Sequence, residues 1–187
     1  QLSFAECDIS SFYKNILEFL KKTYRADRVL LYIYKEAIDT WSVEEAAYAV
    51  GVMEKPAHLS VVPDSKMKVW IEQLKAHNIV FVESTEEYKK NHWDLWKQIQ
   101  MQNIKNSLLS AIWVEGKLYG FYCLDNVEKI HDDWSLLEKA AVITGRRIQA
   151  ELQRTEIDGQ PFSRIKRNKI NADILFNVSL GLWIIKI

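Results

Sequence analysis

From Asp8 to Tyr24 apolar side chains return at helical intervals. Ile9, Phe12, Ile16, Phe19 and Leu20 share a stripe, which predicts an amphipathic helix capped by Asp8 or Ser10. Ala26-Asp27 breaks the pattern, and Arg28–Tyr34 (RVLLYIY), short, β-branched and aromatic, predicts a strand. A second strand is expected from Thr40 through Ala49, where Trp41, Val43 and Tyr48 mix with polar neighbours, although Glu44-Glu45-Ala46-Ala47 would equally suit a helix. Two prolines mark Gly51–Pro63 as irregular. Met67, Trp70, Ile71 and Leu74 fall at i, i+3, i+4 and i+7, predicting a helix over Asp64–His77, followed by a brief strand at Ile79–Val82. A further helix is expected from Thr85 to about Gln102 or Asn103, with Tyr88, His92, Leu95, Trp96 and Ile99 on its inward stripe.

Two apolar runs, Leu108–Val114 and Leu118–Leu124, follow, joined by the turn Glu115-Gly116. Both are apolar on both alternating faces, so the hairpin they form is expected to be covered on both sides, which calls for a layered αβα architecture. The last helix opens at Trp134-Ser135. Trp134, Leu137, Ala141, Ile148 and Leu152 form its stripe, Leu136, Ala140 and Ile143 widen it, and Ser135 with Glu138 fits a capping box. Gly159-Gln160-Pro161 stops it. With Trp134 read as buried, its truncation to Ala is expected to cost about 3–5 kcal/mol.

Composition narrows the function. The 187 residues, 48% hydrophobic and 27% charged, suit one ordinary domain that buries roughly 70% of its unfolded surface. Twenty-five basic and twenty-five acidic side chains cancel and are interspersed, which argues against a nucleic-acid footprint or a polybasic membrane patch. No apolar run reaches the length of a membrane span, so a cytoplasmic location without membrane insertion is expected. Cys7 and Cys123 are too few for a disulfide framework and read as reduced packing thiols. The absent initiator Met suggests a piece of a longer protein.

Catalytic motifs are missing. There is no G-x-S-x-G elbow, Walker loop, H-E-x-x-H or dinucleotide fingerprint, so a non-catalytic role is expected. His58, His77, His92 and His131 have no i, i+4 partner among themselves, and no metal site is expected. His92 reads either as a hydrogen-bonded histidine at the rim of the core or as a ligand contact, including to a haem iron. Trp70, Trp93 and Trp96 read either as core or as pocket wall. Asp125-Asn126 reads first as turn chemistry, with Asp125 as a ligand acceptor the alternative.

The order and wording of the later elements resemble the GAF domain, a small-molecule sensing and dimerisation module of signalling proteins. The resemblance rests on Ser107-Leu108, on Gly116-Lys117-Leu118-Tyr119-Gly120-Phe121-Tyr122-Cys123-Leu124-Asp125-Asn126, and on Trp134-Ser135-Leu136-Leu137-Glu138. It implies an α+β, three-layer α/β/α sandwich with a central, mainly antiparallel sheet over residues 1–154. A linker at 155–171 would lead to the truncated start of a PAS-like domain, or a tail, at 172–187.

The resemblance also implies a cavity roofed by the helices at Asp64–His77 and Thr85–Gln102. Its candidate lining is Met67, Trp70, Val82, His92, Trp96 and Asp125 with the inward alternates of Leu108–Val114, suiting a flat or apolar ligand with few polar anchors. Which small molecule binds is unknown. Covalent bilin is not expected, because Tyr88–Gln102 contains no Cys, and neither the cysteine cluster of methionine sulfoxide reductases nor an N-K-F-D-E cyclic-nucleotide pattern is present. Pairing of Asp8–Tyr24 and Trp134–Leu152 across a homodimer would pass ligand state to an output domain, a histidine kinase or diguanylate cyclase. The alternative is a degenerate scaffold, filled by its own tryptophans, that only dimerises and spaces its neighbours.

Overall fold

The computed structural model describes residues 8–54, 60–128 and 134–157. Cys7, His58, His131, the stop at Gly159–Pro161 and the expected second-domain start at 172–187 lie outside them. Two compact units meet at Arg146/Arg147. The first holds α1 (Ile9–Tyr24), β1 (Arg28–Lys35), β2 (Thr40–Tyr48), β3 (Val61–Pro63), α2 (Asp64–His77), β4 (Ile79–Val82), α3 (Tyr88–Asn91), α4 (Trp93–Gln100), β5 (Ser107–Val114), β6 (Lys117–Asp125) and the first turns of α5 (Ser135–Ile157). Of the second unit the described residues are the end of α5, where Glu151 takes Arg147 at 2.9 Å and Arg154 at 3.7 Å.

One six-stranded sheet, ordered β3-β2-β1-β6-β5-β4, organises the first unit, and every neighbouring pair in it is antiparallel. Ambiguous Thr40–Tyr48 becomes a strand because Trp41 and its partners across β1 gain a packed face there, which outweighs the helical preference of the Glu-Ala run. Glu115 (φ 50°) and Gly116 (φ 75°) both sit in the left-handed region, the geometry of a two-residue hairpin turn whose twist matches its strands. The hairpin is dry on both sides: six of eight residues of β5 from Ser107 to Ile112, and Gly120–Asp125 of β6, are buried without interruption.

Alternation sorts the side chains into two layers. Leu30, Tyr32, Trp41, Leu109, Ala111, Phe121 and Cys123 pack with Met67, Trp70, Ile71 and Leu74 of α2 and with Tyr88, Ile99 and Ile104. Their sequence neighbours point to the other face. There Tyr122 hydroxyl meets Thr144 hydroxyl of α5, and the Tyr24 hydroxyl accepts the Leu137 amide at 3.2 Å. Gly145 lies so close to the Trp113 carbonyl that a Cβ there would overlap it. The architecture is therefore the α+β, three-layer arrangement expected, with a fully antiparallel sheet.

Two helical faces differ from the stripes their sequence suggests. In α1 the buried side chains are Phe12, Tyr13, Leu17, Leu20 and Tyr24, while Phe19 is half exposed. In α5 Leu137, Ala140, Ala141 and Thr144 are buried, whereas Leu136, Val142 and Ile143 face outward. A helix against one sheet face can bury only about a third of its circumference, so surplus apolar positions stay outside. Asp8 caps α1, its carboxylate accepting from the Ser11 amide at 3.0 Å. Among the described residues no helix is long and apolar enough to cross a membrane.

Candidate functional site

Between the first sheet face and helices α2 and α4 lies a cavity of about 40 Å³. A row of polar side chains, one from each of three adjacent strands, lies at its sheet end, and two of the three, Arg28 and Asp125, line it. Arg28 opens β1, Asp125 ends β6 directly opposite it, and Ser107 opens β5 directly opposite Asp125. Strand alternation aims all three to the side occupied by Leu30, Cys123 and Leu109. The Arg28 Nε–H donates to Asp125 Oδ2, the Ser107 hydroxyl donates to Oδ1 at 2.7 Å, and the Cys123 thiol donates to Oδ1 at 3.3 Å.

Both charged partners are buried, Arg28 at 4% exposure and Asp125 at 1%. Burial alone would pull the Arg28 guanidinium down, but the charge and hydrogen bond of Asp125 carry its pKa above the ordinary value. The fork also reaches the roof: Nη2 donates to Gln102 Oε1 at 3.1 Å, tying the segment after α4 to the start of β1. Burial, with the nearby Cys123 and Asp125, pushes the Tyr32 hydroxyl well up, so Tyr32 lines the cavity as a neutral phenol.

Of the residues expected to line a pocket, Met67, Trp70 and Asp125 do meet in this cavity. Three others do not. Val82 is buried in the core cluster at the end of β4. His92 is exposed, contrary to its predicted inward position, because it is where the expected single helix breaks: at φ −139°, ψ 55° it separates α3 from α4. Leu95 and Ile99 hold the inward positions expected of them, and Gln98 and Gln102 line the cavity beside them. Trp96 is half-buried against the edge of the core cluster but does not line the cavity: it stacks on Trp93 at 4.7 Å under the Lys89 ammonium, with its N–H given to Glu86 at 3.2 Å.

Asp125 corrects a second expectation. It is not a turn former but the counter-ion of Arg28, and the turn chemistry belongs to Asn126, which is left-handed (φ 54°) and accepts the Lys105 amide at 2.7 Å. The tryptophans, in turn, have structural partners: Trp41 donates to Asp64 at 2.7 Å, Trp70 to the Tyr88 hydroxyl at 3.0 Å and Trp113 to Asn78 at 2.9 Å. Rings also fill much of the layer, with Tyr32 stacked on Phe121 at 4.8 Å and Trp41 tilted against it at 5.2 Å.

Arg28, Lys66, Gln98 and Gln102 line the cavity without having been singled out from the sequence. A usable signal existed for one: Arg28 heads an otherwise apolar strand, and an acidic residue closes another. Among the described residues no group of three His, Cys, Asp or Glu side chains could hold a metal ion.

No family model matches this chain, and no curated protein matches its sequence. Likeness appears in solved structures. The GAF domain of PixJ from Thermosynechococcus elongatus, in its blue-light absorbing form, superposes with a TM-score of 0.61 at 12% identity, covering 86% of this chain and 99% of that one. The phycocyanobilin-bound GAF domain of a cyanobacterial phytochrome gives 0.65 at 10% identity, with 80% and 89% covered. A domain of a two-component sensor histidine kinase protein from Sinorhizobium meliloti 1021 gives 0.55 at 17% identity, with 81% and 95% covered. At such identities the likeness establishes the fold, which is GAF-like.

Proposed function

We propose that this chain, a domain of GAF-like fold, is a non-catalytic sensing module that takes a small molecule between its sheet and the α2–α4 roof. Ligand state would pass through its terminal helices to an output domain, a histidine kinase or diguanylate cyclase of a cytoplasmic signalling protein. The observation carrying this reading is the cavity built around the Arg28–Asp125 pair, because a buried charge at a cavity wall is costly for a mere filler and useful for a recognition site. A transmission route lies beside it. Cys123 of β6 borders the cavity while its neighbour Tyr122 bonds Thr144 of α5, so a ligand that shifts β6 acts on α5 one residue away.

Phe19 on α1 and Leu136, Val142 and Ile143 on α5 supply the outward apolar positions that a homodimer would bury. Covalent bilin does not fit this reading. No cysteine lies between Tyr88 and Gln102, and about 40 Å³ is far below what a tetrapyrrole needs. That same small volume favours a second reading, a self-filled scaffold that dimerises and spaces its neighbours.

Native mass spectrometry of the protein purified from cells separates the two. A bound small molecule that dissociates on activation supports the sensor, whereas a ligand-free chain that no screened compound stabilises supports the scaffold. Sedimentation of the chain at high concentration as a monomer would count against the dimer in both readings.

A further inference from the structure

Donors and acceptors in the cavity are unequally committed. Asp125 spends both oxygens on Arg28, Ser107 and Cys123. The guanidinium has five N–H donors, of which one goes to Asp125 and one to Gln102. Three have no acceptor among the described residues, although Arg28 is only 4% exposed and forms part of the cavity wall. Arg28 is not among the side chains left fully buried without a partner, so these donors open onto the cavity, where water or a ligand can meet them. The charges that line the cavity are Arg28, Lys66 and Asp125, leaving one net positive charge.

We infer that the ligand is a small monocarboxylate, its oxygens on the free edge of Arg28 with Lys66 at the mouth and its short apolar end against Leu30, Met67, Trp70 and Ile104. This rests on the sensor reading above and names its ligand class. Size sets the upper limit: a water needs about 10–15 Å³ of such space, so 40 Å³ holds roughly three or four heavy atoms, the range from formate to acetate. Shape and charge set the rest. A planar carboxylate matches the guanidinium fork, while a phosphate dianion would bring a second negative charge against Asp125.

The test is calorimetric and thermal-shift titration of the 187-residue chain in buffer free of carboxylates, with formate, acetate and propionate as probes. Acetamide, methylammonium, benzoate and inorganic phosphate are the comparisons. Saturable binding of acetate, tighter than that of propionate and of any of the four comparisons, is the expected result. Lys66 is exposed and Gln98 sits on the short α4, so Lys66→Glu and Gln98→Glu are expected to keep the unliganded melting temperature and weaken acetate about fivefold or more each. Absence of saturable acetate binding, acetamide bound equally well, or unchanged affinity in both variants would overturn the inference. If a neutral or cationic molecule is instead found bound to the purified protein, the carboxylate is wrong and the sensor reading stands. If nothing co-purifies and no probe binds, both fall.

Discussion

Converting Asp125 to Asn keeps the side-chain shape and removes the charge opposite Arg28. The Ser107 hydroxyl can still donate to the amide oxygen, so the loss falls on the guanidinium, which is left charged, buried and without a counter-ion. Breaking a buried pair from one side costs about 3–5 kcal/mol, and the adjoining cavity, which can admit water to Arg28, puts the expectation near the lower end, about 3 kcal/mol. Against a total stability of roughly 5–15 kcal/mol that is a large share. Replacing the whole pair, Arg28→Met with Asp125→Leu, removes both desolvation costs together and is expected to lie within about 1 kcal/mol of the parent. Urea melts of the parent, of Arg28→Met, of Asp125→Leu and of the double variant measure the cycle, with a coupling of about 2 kcal/mol or more expected. A loss below about 1 kcal/mol in Asp125→Asn, or simple additivity in the double variant, would refute the picture of a desolvated, mutually dependent pair.

Gly145→Ala gains about 1 kcal/mol of helix propensity but drives a methyl into the Trp113 carbonyl, so a net loss of about 1–2 kcal/mol is expected; a stabilised variant would show that α5 does not approach β5 so closely. Trp134 is half-buried, stacked on Tyr24 at 6.2 Å and tilted against Phe81 at 5.6 Å, so Trp134→Ala should cost about 2 kcal/mol rather than the 3–5 expected of a fully buried ring, checked by the same melts. Burial, partly offset by the hydrogen bond from Trp70, raises Tyr88 from 10.0 to about 12, so its contribution is complete below pH 10 and is lost as pH rises toward 12. Alkaline melts of Tyr88→Phe should therefore fall less steeply across that window than those of the parent, and identical slopes would contradict the assignment.

Much of the fold could be read directly from the chain. Helices α1, α2 and α5 and the β5–β6 hairpin follow from strong periodicity over long or doubly apolar stretches, where burial leaves few alternatives. The site was less legible, for reasons that differ by residue. His92 misleads because a stripe assumes an unbroken helix, and this one residue leaves the helical conformation while Tyr88, Leu95 and Ile99 on either side of it keep the inward face. Arg28 was passed over because a charge at the end of a strand ordinarily faces solvent. Only the register that sets it across from Asp125 shows otherwise. Gln98 and Gln102 carry no sequence signature at all, since uncharged amides on a helix suit inside and outside alike.

The two-residue turn at Glu115-Gly116 also limits how this domain can diverge. Past the one irregularity between Ile112 and Trp113 the ladder pairs residue for residue, so removing or adding one residue between Gly120 and Asp125 would exchange the side chains that face the cavity with those that face α5, inverting the sheet's two populations at once. Point substitution at positions such as Cys123 can thus reshape the cavity wall without disturbing the other face, while length changes within those paired residues would disturb both; variation in length should collect in other connections instead.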